Sequence, residues 1–153
     1  MIRPGGAHDV PFLRDMLRHA FPRTPVGDEP PLSRYVDGWG RRGDRAVIAI
    51  EHFQRVGAAW YRIFKESNPR FGFVDEETPE LAIAVVPSRR GRGFGGELLQ
   101  ALLEQARRDG YTRLTLSVEQ ENPAAALYEK YGFERVGERN GSWTMLANLA
   151  KPS

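Results

Sequence analysis

Apolar positions along the chain fall into short periodic runs separated by polar or glycine-rich stretches. Ile2-Arg3-Pro4 reads as the start of a first strand. Val10, Leu13, Leu17 and Phe21 share one face at helical spacing, with Asp9 placed to cap that helix. Leu32 to Trp39 reads as a second, short helix. Arg45 to Phe53 and Val56 to Phe64 read as two strands joined tightly at Gln54-Arg55. Glu66 to Pro79 is polar, holds two prolines and a glycine, and reads as a loop. Leu81 to Val86 is an unbroken apolar run, as expected of a buried strand. Glu97 to Arg108 is strongly helical and is stopped by Gly110. Thr112 to Val118 (TRLTLSV) alternates as a strand. A short capped helix then follows. Asn122 suits the N-cap, Pro123 the first helical position and Gly132 the C′ position, while Phe133 can fold back on the last turn. Ser142 to Leu149 reads as the last strand.

Between the buried strand and the long helix lies the run VPSRRGRGFGG, Val86 to Gly96. Backbone N–H groups at a helix start, together with the positive end of the helix dipole, form an anion site. Glycines let a ligand approach the backbone, and Arg89, Arg90 and Arg92 add permanent positive charge. A phosphate-bearing ligand is the natural expectation. The nucleotide P-loop is excluded, because Glu97-Leu98 stands where Lys-Ser or Lys-Thr would follow the last glycine. Gly91, Gly93 and Gly96 match the dinucleotide pattern G-x-G-x-x-G, and Glu119 follows the next strand as that pattern asks. Arg90, Gly93 and Gly95 match a different loop, Arg-x-x-Gly-x-Gly. By itself the loop leaves these two open.

The downstream sequence chooses between them. Arg-x-x-Gly-x-Gly resembles the pyrophosphate loop of the GNAT N-acetyltransferase superfamily. The segment Asn122 to Phe133 (NPAAALYEKYGF) is similar to that family's second hallmark, with one residue fewer between Asn122 and Tyr128 than in many members. The two motifs stand in the family order with the right elements between them. The resemblance covers nearly the whole chain, most strongly Glu80 to Phe133 and most weakly Pro22 to Gly43. It implies a mixed α/β fold: a mostly antiparallel central sheet with one splayed parallel pair, Leu81–Val86 and Thr112–Val118, flanked by helices.

It also implies a chemistry, N-acetyl transfer from acetyl-coenzyme A to a primary amine. The resemblance assigns the cofactor to Ala84, Val85, Val86, Arg90, Gly91, Arg92, Gly93, Phe94, Gly95, Gly96 and Asn122. Val85 is the candidate N–H donor to the thioester carbonyl, an oxyanion-type contribution from a fixed dipole. Tyr128 is the candidate acid for the departing sulfur, since a phenol of pKa about 10 is protonated at neutral pH. Tyr131, one turn away, reads as packing. Glu80 is the candidate base, with Glu51 and Glu119 as rivals. Family members acting on ribosomal-protein N-termini carry a glutamate at the position of Ser117, and serine there counts against that substrate. Two other functions are weighed beside this one: a non-catalytic sensor of acyl-coenzyme A, and a small dinucleotide-binding oxidoreductase.

Composition narrows the picture further. The length of 153 residues suits one domain with a single core. There is no cysteine, so disulfides and thiolate chemistry are excluded. His8, His19 and His52 are scattered, so no metal is expected. The net charge is +2, and only Arg89, Arg90 and Arg92 gather, so no nucleic acid is expected as a partner. No apolar signal or membrane-length run is present, which points to a cytoplasmic protein. The expected partner is an amine-bearing acceptor. Phe21, Trp39, Trp60, Tyr61 and Phe71 could line its pocket, and Asp75, Glu76 and Glu77 could attract its cation. The chain is expected to be a monomer, or a homodimer paired through Ser142 to Leu149.

Overall fold

The computed structural model describes residues 1–21, 32–65, 73–139 and 141–149. Its strands are β1 (Ile2–Pro4), β2 (Arg45–Glu51), β3 (Gln54–Arg62), β4 (Glu80–Val85), β5 (Arg113–Glu119), β6 (Phe133–Arg139) and β7 (Ser142–Asn148). Its α-helices are α1 (Val10–Ala20), α2 (Phe94–Arg108) and α3 (Ala124–Lys130). The sheet order is β1-β2-β3-β4-β5-β7-β6. The β1–β2, β2–β3, β5–β7 and β6–β7 pairs are antiparallel, and β4–β5 is parallel. This is the mixed α/β architecture expected. The parallel register holds one Cα pair among the described residues, Glu80↔Thr115. The chain groups into two compact units, Met1–Arg62 with Ala82–Leu102, and Ile63–Leu81 with Leu103–Ser153.

In the first unit, α1 buries Leu13 and Leu17 of the expected stripe together with Met16, while Val10 and Phe21 are half-buried, and Leu98, Leu99 and Leu102 of α2 are also buried. Asp9 does not cap α1 with its side chain. It is fully buried instead: Oδ2 accepts the Gly6 N–H at 2.8 Å, and Arg3 and Arg55 both donate to the carboxylate. Desolvation pushes this carboxyl up, but the Arg3 hydrogen bond, the Gly6 N–H and the Arg55 hydrogen bond outweigh it. Asp9 therefore lies well below the usual carboxylate range.

The β2–β3 turn lies at His52-Phe53, not at Gln54-Arg55. Both turn residues have positive φ, 50° and 65°, and Glu51 pairs with Gln54. A two-residue turn of this hand matches the twist of the strands it joins. Neither residue is the glycine or asparagine that usually marks such a turn, which is why the strand pattern ran through it. The register slips between Ala49 and Ile50, so Val56 is an extra residue on β3.

Of the helix expected from Leu32 to Trp39, a 3₁₀ turn forms over Leu32–Tyr35. The segment after it is tied down by a buried cation. Arg62 and Asp44 are 1% and 3% exposed, and they pair through two hydrogen bonds of 3.0 and 3.1 Å. Arg62 also donates to the carbonyls of Arg34 and Asp37, and its guanidinium lies 5.5 Å from the centre of the Trp39 ring. Burial lowers the Arg62 pKa, and Asp44 offsets part of that. Trp60 and Tyr61 are fully buried core, so they do not line an open pocket. Phe71, and the parts of the two acceptor loops at 22–31 and 66–72, lie outside the described residues.

The second unit is built on β7, which pairs with β5 on one side and β6 on the other. Leu114, Leu116, Val118, Met145 and Ala147 are buried. The strand β6 was not foreseen: Phe133 at its start is buried and the rest is exposed, so no alternation marks it. The carboxylates expected to attract an amine include Asp75, which is instead engaged by Arg113 and by the Glu77 N–H.

Candidate active site

The first unit carries the strand-to-helix loop. β4 ends at Val85, a 3₁₀ turn occupies Pro87–Arg89, and Arg90 is extended. Gly91 and Gly93 take φ of 77° and 88°, and a Cβ on either would meet nothing within 4 Å. Here glycine is required by conformation and not by crowding. The helix α2 starts at Phe94, three residues before the expected Glu97, so Gly95 and Gly96 belong to its first turn. Its first backbone bond outside the regular ladder is Glu97 N–H to the Gly93 carbonyl, 3.2 Å. The N–H groups of Phe94, Gly95 and Gly96 therefore precede the helix's own hydrogen bonding and point out of its positive end.

Strand geometry sorts the residues of β4. The Val86 N–H donates to the Val56 carbonyl on β3 at 2.8 Å. Alternation then turns the N–H and carbonyl of Val85 away from β3. The Val85 carbonyl accepts Nε of Arg90 at 3.2 Å. Ala84 faces β3, its carbonyl lying close over Gly57. So among Ala84, Val85 and Val86, Val85 offers its amide on the side opposite β3.

The arginines of the loop are not equivalent. Arg89 and Arg92 both bind Glu51, at 2.6 and 3.1 Å, while Arg90 binds the neutral Val85 carbonyl. Desolvation raises the Glu51 pKa, but the Arg89 hydrogen bond and the charges of Arg92, Arg89 and His52 outweigh it and hold Glu51 below the usual carboxylate range. That makes Glu51 a weaker base than its sequence position suggested. Sequence reasoning missed its link to the loop, because the partners lie 38 and 41 residues away.

The second unit carries Glu80, Asn122 and Tyr128. Glu80 is 2% exposed at the start of β4, so it is not a solvated strand-end charge. Beside it, the Pro79 carbonyl accepts the Thr115 N–H at 3.0 Å. The helix α3 starts one residue later than expected, with Pro123 at the N-cap position, and Oδ1 of Asn122 accepts the N–H of its first residue, Ala124, at 2.9 Å. Gly132 has φ of 98° and closes the helix. Phe133 returns to meet Tyr128 edge-on, with ring centres 6.1 Å apart. Tyr128 is almost wholly buried, and desolvation pushes its phenol above the ordinary range. It therefore stays protonated through neutral pH.

Among the described residues, no group of three or more His, Asp or Glu could hold a metal, and no helix is long and apolar enough to cross a membrane.

Comparison with known proteins bears on the family. The sequence model of the acetyltransferase (GNAT) family matches residues 10–133. An L-methionine sulfoximine/L-methionine sulfone acetyltransferase of Pseudomonas paraeruginosa is 29% identical over 155 residues, covering 93% of this chain and 88% of the relative. The crystal structure of a ribosomal-protein-alanine N-acetyltransferase from Brucella melitensis superposes with a TM-score of 0.73 at 27% identity, covering 97% of this chain and 99% of the other. The structure of YncA from Salmonella typhimurium, solved with its cofactor acetyl-CoA, superposes with a TM-score of 0.74 at 22% identity, covering 100% and 95%. The dinucleotide-binding oxidoreductase alternative falls with these matches. The chain belongs to the acetyltransferase (GNAT) family and is an N-acetyltransferase.

Proposed function

We propose that this protein transfers the acetyl group of acetyl-coenzyme A to the primary amine of a small molecule or peptide. An amino-acid-like acceptor is favoured by the relative matched along most of the chain, which acts on methionine sulfoximine and sulfone. Ser117, standing where ribosomal-protein acetyltransferases carry glutamate, argues in the same direction. The observation that carries the proposal is the loop: N–H groups of Phe94, Gly95 and Gly96 at the start of a 15-residue helix, beside Gly91 and Gly93 in open space.

In this reading the Arg90–Gly96 loop holds the pyrophosphate. The Val85 N–H donates to the thioester carbonyl and stabilises the oxyanion that develops there. The neutral amine attacks the carbonyl carbon and the C–S bond breaks. The sulfur takes the proton of Tyr128, and the amine proton passes to Glu80, directly or through water. Asn122, already accepting the Ala124 N–H through Oδ1, keeps its amide N–H donors for the cofactor. A sensor that binds acyl-coenzyme A without turnover is separated from this enzyme by screening amino acids and short peptides for acetylation.

The loop assignment is tested by calorimetry with coenzyme A on Arg90→Ala. Loss of a charge-assisted hydrogen bond should weaken binding by about 1.5–3 kcal/mol, roughly ten- to a hundredfold in Kd. Unchanged affinity in the folded variant would remove the assignment.

A further inference from the structure

Glu51 ends β2, far in sequence from the phosphate loop, yet its one carboxylate serves two of the loop's arginines. Nε of Arg89 donates to Oε1 at 2.6 Å, and Nη1 of Arg92 reaches Oε1 at 3.1 Å and Oε2 at 3.4 Å. These arginines stand on opposite sides of Gly91, whose φ is 77°, and Arg92 itself lies between Gly91 and Gly93. A segment with two such glycines has many conformations to lose when a ligand orders it. A carboxylate that grips both flanks of the hinge removes much of that freedom beforehand. Its own position is fixed, because Glu51 pairs with Gln54 across the tight His52-Phe53 turn. The grip uses Nε of Arg89 and one terminal nitrogen of Arg92. A guanidinium carries five N–H donors, so each arginine keeps others to offer.

We infer that Glu51 is a positioning residue for coenzyme A: it holds Arg89 and Arg92 in the geometry that the pyrophosphate meets. This rests on the loop being the pyrophosphate site. The role is opposed by simple electrostatics, because a carboxylate beside an anion site repels the ligand. The inference is that orientation wins over repulsion, so the sign of the effect is itself a test.

The experiment compares Glu51→Gln, Arg90→Ala and the parent enzyme with two acetyl donors. One is acetyl-coenzyme A and the other is S-acetyl-pantetheine, which lacks the phosphates. Glutamine keeps the shape and one acceptor oxygen but cannot form the double ion pair. KM for acetyl-coenzyme A should rise about tenfold in Glu51→Gln, from the loss of preorganisation, with kcat nearly unchanged. KM for S-acetyl-pantetheine should not move. Unchanged or tighter acetyl-coenzyme A binding in Glu51→Gln, with Arg90→Ala still impaired, would overturn the role of Glu51 and leave the loop assignment standing. Equal impairment with both donors would overturn it as well, since that is damage to the fold. If Arg90→Ala handles acetyl-coenzyme A normally, the loop assignment fails and the inference fails with it.

Discussion

Gly57 offers a direct probe of how packing sets the proposed carbonyl donor. It lies in β3 with ordinary negative φ, so alanine there brings no backbone strain. What alanine brings is a methyl group. A Cβ at this position would lie 3.0 Å from Cδ1 of Leu98, 3.1 Å from the Ala84 carbonyl oxygen and 3.3 Å from Cγ2 of Val85. The leucine can rotate away, but the carbonyl belongs to the backbone of β4 and must move by a few tenths of an ångström. Overpacking of this kind costs about 1–3 kcal/mol. Replacing glycine also restricts the unfolded chain, which returns about 0.4–1 kcal/mol. The net expectation is a loss of roughly 0.5–2 kcal/mol, read from the urea midpoint. The displaced peptide unit joins Ala84 to Val85, whose N–H is the proposed donor. A 1 Å misplacement costs about a hundredfold in rate, so about 0.3 Å, scaled linearly in free energy, costs roughly fourfold in kcat. Single-turnover acetylation at saturating acetyl-coenzyme A reports that step. A Gly57→Ala protein as stable as the parent, with unchanged single-turnover rate, would refute both the tight contact and the role it gives Val85.

Two further variants test other parts of the structure. Tyr128→Phe keeps the ring that meets Phe133 and removes only the proton donor, so kcat should fall by about 10²–10⁴ with coenzyme A affinity unchanged, and a thioester with a more acidic thiol should recover the rate. Because burial raises the Tyr128 phenol, its ionisation should produce no alkaline loss of kcat below about pH 10, and full Tyr128→Phe activity would end the assignment. Arg62→Met strands Asp44, 3% exposed, and two backbone carbonyls, so urea unfolding should show a loss of about 3–5 kcal/mol. A loss under about 1 kcal/mol would mean that water reaches the cluster.

What the sequence showed clearly was written in neighbouring residues. Gly91, Gly93, Gly110 and Gly132 all take the left-handed conformations that loop and helix-end positions demand. Asn122 accepts the N–H of the first residue of α3, and Phe133 folds back on Tyr128 as its place after Gly132 suggested. Errors arose where tertiary pairing overrode local preference. Gly95 and Gly96 read as loop, yet they lie in the first turn of α2, which starts at Phe94. The strand β6 has almost no buried face, and it exists through its ladder with β7. The polar clusters were less legible still. Asp9 read as a helix cap from its place before Val10, but its partner Arg55 is 46 residues away. No periodicity connects residues so far apart.

These clusters also account for part of the chain's excess of arginine over lysine. Asp9 is held by Arg3 and Arg55, Asp44 by Arg62, and Glu51 by Arg89 and Arg92. In two of the three, one carboxylate is shared by two guanidiniums. In the third, one guanidinium serves a carboxylate and two carbonyls. A planar fork with five donors suits such cross-links, and a lysine ammonium would satisfy only part of each. Five arginines of this chain are thus engaged internally. Arg90 departs from the pattern, since its partner is the neutral Val85 carbonyl. Among the described residues, no carboxylate is paired with Arg90 to compete with an incoming phosphate. Its guanidinium also rests on the residue proposed to orient the thioester, so an anion drawn to Arg90 is brought to the end of β4 where that amide lies. The same side chain that attracts the cofactor's phosphates thereby helps fix the strand end on which its acetyl group is to be read.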